Sequence, residues 1–301
     1  MSMRYQAGIV LPGYNPLLVP NAPTIGTATA GTASASVTFT APADIGGGAI
    51  TGYSVVSTPE GVIGTGASSP ITVSGLTNGT AYTFKVFATN AYGPSPLSAA
   101  SNSATPIPAI GSAYGGGFFA GQIGTSSVAT HNLVIGPVAS AQDASIQYKT
   151  SNTSTAGTTS DIDGPTNSSN MNNASHPAAQ FCEGLSIGGF SDWYMPAKNE
   201  LEVCYYNLKP TTTSNNGDAS SGVNPNAVPA RASNYTAGTP AQTSAAAFQT
   251  GNAEAFTAGN YWSSTEKLSL YAWRQNFSNG YQGYSGKSTT LSVRAIRRVA
   301  V

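Results

Sequence analysis

Between residues 21 and 107, apolar and polar side chains alternate in short runs separated by Gly, Pro, Asn and Ser. Val37 and Phe39 alternate with Thr38 and Thr40. Tyr53, Val55 and Val56 form the next run, Ile71 and Val73 follow, and Tyr82, Phe84, Val86 and Ala88 share one face. A period of two turns one face of each run into a core, and about seven such strands make an all-β sandwich. Further on, Phe118, Phe119 and Ile123, then Leu133, Val134 and Ile135, predict two strands of a second sheet.

Two amphipathic helices are expected next. Asn173 or Ser175 can cap the first, with Pro177 in its first turn and Phe181, Cys182 and Leu185 on one face. The second starts at Pro196 or Ala197 and carries Leu201, Cys204, Tyr205 and Leu208 at spacings of three and four, ending before Pro210. Residues 211–260 have little periodicity and predict long loops. Tyr261-Trp262, 272–277 and 291–299 then alternate like three closing strands.

Length divides this pattern into domains, because one core seldom serves more than about 250 residues and the chain has 301. The expected layout is an N-terminal segment, 1–20, a sandwich, 21–107, and a second domain, 108–301, with 105–111 as a Pro-containing linker. Pro12, Pro16 and Pro20 keep the first segment extended. Its apolar residues fit either a docking peptide or a frayed terminus. It makes a poor signal peptide, so the chain is expected to reach the outside without its own export signal, for instance by cell lysis.

Composition narrows the function. Charged residues are 8% of the chain, 12 basic against 12 acidic, so neither nucleic acid nor an anionic membrane has an electrostatic footprint. No run reaches the roughly 18 apolar residues of a membrane span. With 34 Gly, 19 Pro and 28 aromatic residues, the chain favours short strands and turns over disorder.

Two resemblances follow. The Pro-rich opening (Pro20, Pro23), the runs 46–53 and 76–82, Ala88-Thr-Asn-Ala-Tyr-Gly93 and Ser95-Pro-Leu-Ser98 resemble a fibronectin type III domain. That resemblance implies a corner in which the Tyr82 phenol bonds a backbone group near Leu76, with Phe39 where Trp is usual. It also implies a spacer, since the segment has no Arg-Gly-Asp tripeptide. Residues 189–206, Tyr261-Trp-Ser-Ser-Thr-Glu266 and Val293-Arg-Ala-Ile-Arg-Arg298 resemble the C-type-lectin-like module of bacterial surface and phage virion proteins. The formylglycine-generating enzymes share that scaffold, but their late cysteine pair has no counterpart here, because Cys182 and Cys204 both precede the closing strands.

Other chemistry is weakly supported. Gly115-Gly-Gly lacks the Lys-Ser/Thr of a phosphate loop. His131 and His176 are not at metal-ligand spacing, and Asp161-Ile-Asp-Gly164 is only part of a calcium loop. Cys182 and Cys204 fit either a disulfide or, in a reducing cytosol, two buried thiols. No catalytic residue, metal or cofactor is expected.

Recognition is therefore the expectation. Residues 271–288 mix Tyr, Ser, Asn and Gly with Trp and Arg, as antibody contact loops do. The candidate ligand-binding residues are Tyr271, Arg274, Asn276, Asn279, Tyr281 and Tyr284, with parts of 211–260, while some of Trp273, Phe277 and Tyr281 must be core. The lectin-like resemblance implies a phage virion protein made in the host cytoplasm and oligomeric in the virion. Residues 1–20 would hold it to other virion proteins, and its outer domain would meet a host glycan or protein. A non-binding head or tail decoration protein and a bacterial adhesin are the alternatives.

Overall fold

The computed structural model describes residues 18–218 and 221–301. The attachment segment 1–20 lies outside these, except for its last three residues. The chain divides into two compact units after Pro108.

In the first unit the strands are β1 (Thr24–Gly31), β2 (Ser34–Thr40), β3 (Ile50–Thr58), β4 (Ile63–Gly66), β5 (Ile71–Ser74), β6 (Thr83–Asn90) and β7 (Gly93–Pro94). They form two sheets, β1-β2-β5 and β4-β3-β6-β7. Val37, Val55, Val73, Phe84 and Val86 are fully buried between them, as the alternation requires. Phe39 meets Tyr53 at 4.8 Å between ring centroids. The Tyr82 hydroxyl accepts from Thr77 N at 3.0 Å and donates to Glu60 at 2.6 Å, beside a buried Leu76.

After β7 the chain pairs with β6 in an irregular way. Ser95, Ser98 and Ser101 donate their N–H groups to the carbonyls of Ala88, Val86 and Phe84. Their hydroxyls accept from the N–H groups of the same residues, each at 3.0 Å. Three residues thus advance against every two of β6, a bulge at each step, and the serine hydroxyl replaces the missing carbonyl.

The second unit contains β8 (Ala113–Tyr114), β9 (Gly117–Thr125), β10 (Val128–Ile135), α1 (Val138–Ala141), β11 (Gln142–Gln147), α2 (Gly164–Ser169), α3 (Pro177–Glu183), α4 (Lys198–Leu208), β12 (Asn260–Leu268), β13 (Tyr271–Asn276), β14 (Gln282–Gly286), β15 (Thr290–Arg294) and β16 (Ile296–Ala300). Its sheets are β16-β10-β9-β8 and β11-β15-β12-β13-β14. The molecule is mainly β with a small helical part, as expected.

Besides β8, α1, β11 and α2, which the sequence pattern did not announce, three details differ from the expectations. The closing region holds five strands rather than three, because 282–286 pairs with β13 and the last run breaks at Ala295. There the chain passes from one sheet to the other, and Ala295 bonds Gly136 and Ala141. His176, not Asn173 or Ser175, stands at the cap position of the helix at Pro177, with no side-chain capping bond; the Asn173 side chain accepts from Ser175 N instead and shapes the preceding turn. And α4 is not amphipathic: of its residues only Lys198, Tyr206 and Asn207 escape burial. Polar side chains on its other faces are buried because partners meet them.

Candidate functional site

The partners of α4 explain the motifs that make this unit recognisable. Glu200 is fully buried. Its carboxylate accepts from the Tyr194 hydroxyl and Arg298 Nε, both at 2.6 Å, and from Ala197 N at 2.8 Å. Burial raises its pKa, and the Arg298 guanidinium opposes that rise. Glu202, also buried, binds Arg231, the Tyr235 hydroxyl and Asn224 Nδ2. Arg294 pairs with Glu254 at 2.7 Å, and Arg297 with Asp192 at 2.7 Å. The Glu-Leu-Glu run and the Arg-rich ending are therefore a frame.

The long 211–260 region is tied to that frame. Before β12 begins at Asn260 it has no strand and a single 3-10 turn, Ala246–Phe248, among the described residues. Asn215 accepts from the Tyr205 hydroxyl at 2.6 Å and donates to Pro240 O at 2.8 Å. Asn224 donates to Asn199 O and Glu202. Buried amides of this kind replace regular backbone pairing.

The six candidate binding residues lie on β13, β14 and the turn between them, but on two faces. Trp273 stands opposite Tyr284, and Arg274 opposite Gly283. With a period of two, Tyr271, Trp273 and Tyr284 share one face and Arg274 and Asn276 the other. The Tyr284 ring is 5.3 Å from Tyr271 and 6.0 Å from Trp273, edge to face in both cases. Lys198 Nζ lies 4.6 Å and Lys267 Nζ 4.8 Å from the Trp273 ring centroid. Tyr284 is 52% exposed, and Leu268 and Leu270 continue the apolar surface.

On the opposite face, Arg274 donates to Ser285 Oγ at 2.9 Å and to Asn260 Oδ1, and its guanidinium lies 5.8 Å from the Tyr281 ring. Burial pulls its pKa down. Asn276 Oδ1 accepts from Ser278 N and Asn279 N, and Asn279 Oδ1 accepts from Tyr281 N. These two asparagines build the turn. Gly280 completes it at φ +77°, where a Cβ would fall 2.4 Å from the Tyr205 ring. Phe277 is core, stacked on Phe256 at 3.8 Å.

Only Tyr271 and Tyr284 of the six join a common aromatic ridge, half-buried at Tyr271 and exposed at Tyr284. Trp273, which the alternation alone left as a core candidate, completes it. Sequence could have found it, since it lies two residues from Tyr271 on the same strand.

Other reactive groups have structural partners. His176 Nε2 lies 2.7 Å from Thr155 Oγ1 and Nδ1 2.9 Å from Asn173 Oδ1. Asp161 pairs with Lys198, and Asp163 caps α2 through Thr166 N. Cys182 and Cys204 are free, buried thiols in separate core clusters, and burial raises both pKa values. Among the described residues no group of three or more His, Cys, Asp and Glu could hold a metal ion.

These two units define a modular β protein, with a sandwich before a larger unit framed by buried ion pairs. The chain belongs to the Lcl C-terminal domain family, whose model matches residues 141–297, just over half of it. A fibronectin type III domain matches residues 21–104. Together they point to a surface or adhesion-like protein.

Among solved structures, domains from titin match at 30% identity over 29% of this chain and 32% of theirs, with a TM-score of 0.26. The twitchin kinase region from C. elegans matches at 22% identity over 30% of this chain and 17% of that one, with a TM-score of 0.27. A myokine structure matches at 23% identity over 29% of this chain and 98% of that one, with a TM-score of 0.24. This chain thus spans about a third or less of the titin and twitchin chains. No curated protein matches it.

Proposed function

We propose that this chain is a phage virion protein whose second unit is a C-type-lectin-like domain for recognising a host-surface glycan. The observation that carries this reading is the aromatic ridge of half-buried Tyr271 and Trp273 and exposed Tyr284, with Lys198 and Lys267 beside the indole. Aromatic faces stack on sugar C–H surfaces while losing little side-chain entropy. The Lys267 ammonium can bond hydroxyl or acidic substituents, while Asp161 holds Lys198. The exposed leucines extend the same surface toward a host protein as partner.

In this reading the fibronectin type III unit is a spacer, and residues 1–20 attach the chain to other virion proteins. The protein is made in the host cytoplasm and acts as an oligomer on the particle. Its work is binding, not catalysis. The ion pairs support this, because they occupy the carboxylates of α4 that could otherwise act as acid or base.

The test is binding of the purified chain to a glycan array and to host cells, compared with Trp273→Ala and Tyr284→Ala. Each substitution should weaken binding by about ten-fold, the range of a hot-spot aromatic. Circular dichroism should show the fold kept. A parent chain that binds neither cells nor glycans would make the protein a decoration protein, and binding that survives both substitutions would move the site elsewhere.

A further inference from the structure

We infer that a groove beside the C-terminal end of α4 is a second binding site, for an uncharged oligosaccharide. It goes beyond the ridge of β13 and β14 and stands even if that ridge binds nothing.

Two cavities of about 340 and 390 Å³ adjoin there and share Tyr206 and Thr239. Each is within the roughly 300–1,000 Å³ of small-molecule sites. Tyr206 and Asn207 are the residues at this end of α4 that escape burial, and both face the groove. The Tyr206 ring is held in place, with the Arg231 guanidinium 4.0 Å from its centroid and the Tyr235 ring at 6.4 Å. A ring fixed before binding costs little entropy when a sugar face stacks on it. Its hydroxyl has no hydrogen-bond partner among the described residues.

The polar groups select hydroxyl donors. Asn207 donates Nδ2–H to Ala120 O at 2.8 Å, and Gln242 donates Nε2–H to Pro210 O at 2.7 Å. Because a carbonyl only accepts, these bonds fix which way each amide points. The Asn207 and Gln242 side-chain oxygens then remain as oriented acceptors at the groove. Thr236, Thr239 and Ser233 add hydroxyls to the rim.

Charge argues against ionic ligands. Among the described residues Arg231 is the sole cation in the walls of the two cavities, and buried Glu202 neutralises it. An anion would meet that spent charge and two carbonyl oxygens. A cation would meet the guanidinium. Neutral sugar hydroxyls match both the acceptors and the aromatic ring.

The test uses the full chain against an array of uncharged di- to tetrasaccharides of glucose, galactose, mannose and N-acetylglucosamine, with acidic saccharides alongside. The best neutral binder is then titrated by calorimetry. In a Tyr284→Ala background, which removes the ridge, Tyr206→Ala should weaken it by about ten-fold or more and Gln242→Ala by a smaller factor. Should Tyr206→Ala fail to fold, Gln242→Ala decides, because that side chain reaches the surface. A silent neutral array, a preference for the acidic saccharides, or affinity unchanged in the groove variants would each overturn the proposal. Loss of all neutral binding with Tyr284→Ala alone would overturn it while leaving the ridge in place.

Discussion

His176 shows how neighbours decide the charge of one side chain. Lys149 donates to Thr155 Oγ1 at 2.8 Å, so the Thr155 hydroxyl can turn its proton to His176 Nε2, while Nδ1–H donates to Asn173. A proton on Nε2 would destroy that chain. Burial, then Lys149 and Lys287, lower its pKa from 6.5 to about 4. The unfolded chain binds the proton near 6.5, so stability falls as pH drops from there and is fully reduced below about 4. The full shift corresponds to about 3 kcal/mol, and solvent screening brings the expected loss to on the order of 2 kcal/mol. Urea denaturation across that range should show it, and His176→Gln should flatten the slope; an equal slope in the variant would assign the pH dependence to other groups. The sequence showed of His176 only that it stands at no metal-ligand spacing. Its Lys and Thr partners lie 21 or more positions away, a distance no local pattern encodes. Likewise Glu200 and Arg298 stood out as motifs, but their pairing across 98 positions is a property of the fold.

At the scale of elements, α4 and the cross-strand bulges make separate predictions. The Thr265 hydroxyl accepts from Lys198 N at 3.0 Å and donates to Ser160 O at 2.8 Å. It caps a helix whose own cap residue, Ala197, has no side-chain acceptor. Thr265→Val keeps the shape and removes both bonds, so equilibrium unfolding of this unit should lose about 1–3 kcal/mol. In the first unit, Ser98→Ala strips the buried Val86 N–H of its acceptor, and a loss of about 1–2 kcal/mol is expected in the fibronectin type III transition. A silent Ser98→Ala would mean that water or the backbone takes over the bond. Both helices were legible from apolar spacing at Phe181, Cys182, Leu201 and Leu208. The burial of α4 on its polar sides was not, because spacing reports which residues are apolar and not which polar ones find partners. Alternation gave β9, β10 and β12 correctly. It missed β14, whose Gly283 and Gly286 carry no hydrophobic signal.

For the whole molecule, the two units each have their own core, and the sequence announced both through their alternation and their motifs. What it could not show was a ridge formed by side chains from adjacent strands, which depends on the register of Trp273 against Tyr284. Leu18 O accepts from Asn90 Nδ2 at 2.8 Å and from Gly47 N at 2.9 Å, so a truncation meant to test attachment should stop before Leu18. A chain beginning there should fold with unchanged melting temperature and yet fail to join assembled particles. Normal incorporation would remove the attachment role from the first residues. In the role proposed above, a link between a particle and a cell, the chain would also carry tension. The segment from Ser95 to Ala104 is fastened to β6 by backbone bonds and by serine hydroxyls. A pull along that segment through Pro108 loads these fastenings side by side, so they resist as a group. A tether whose last length is riveted in this way yields suddenly, at a high force, rather than peeling open one bond at a time.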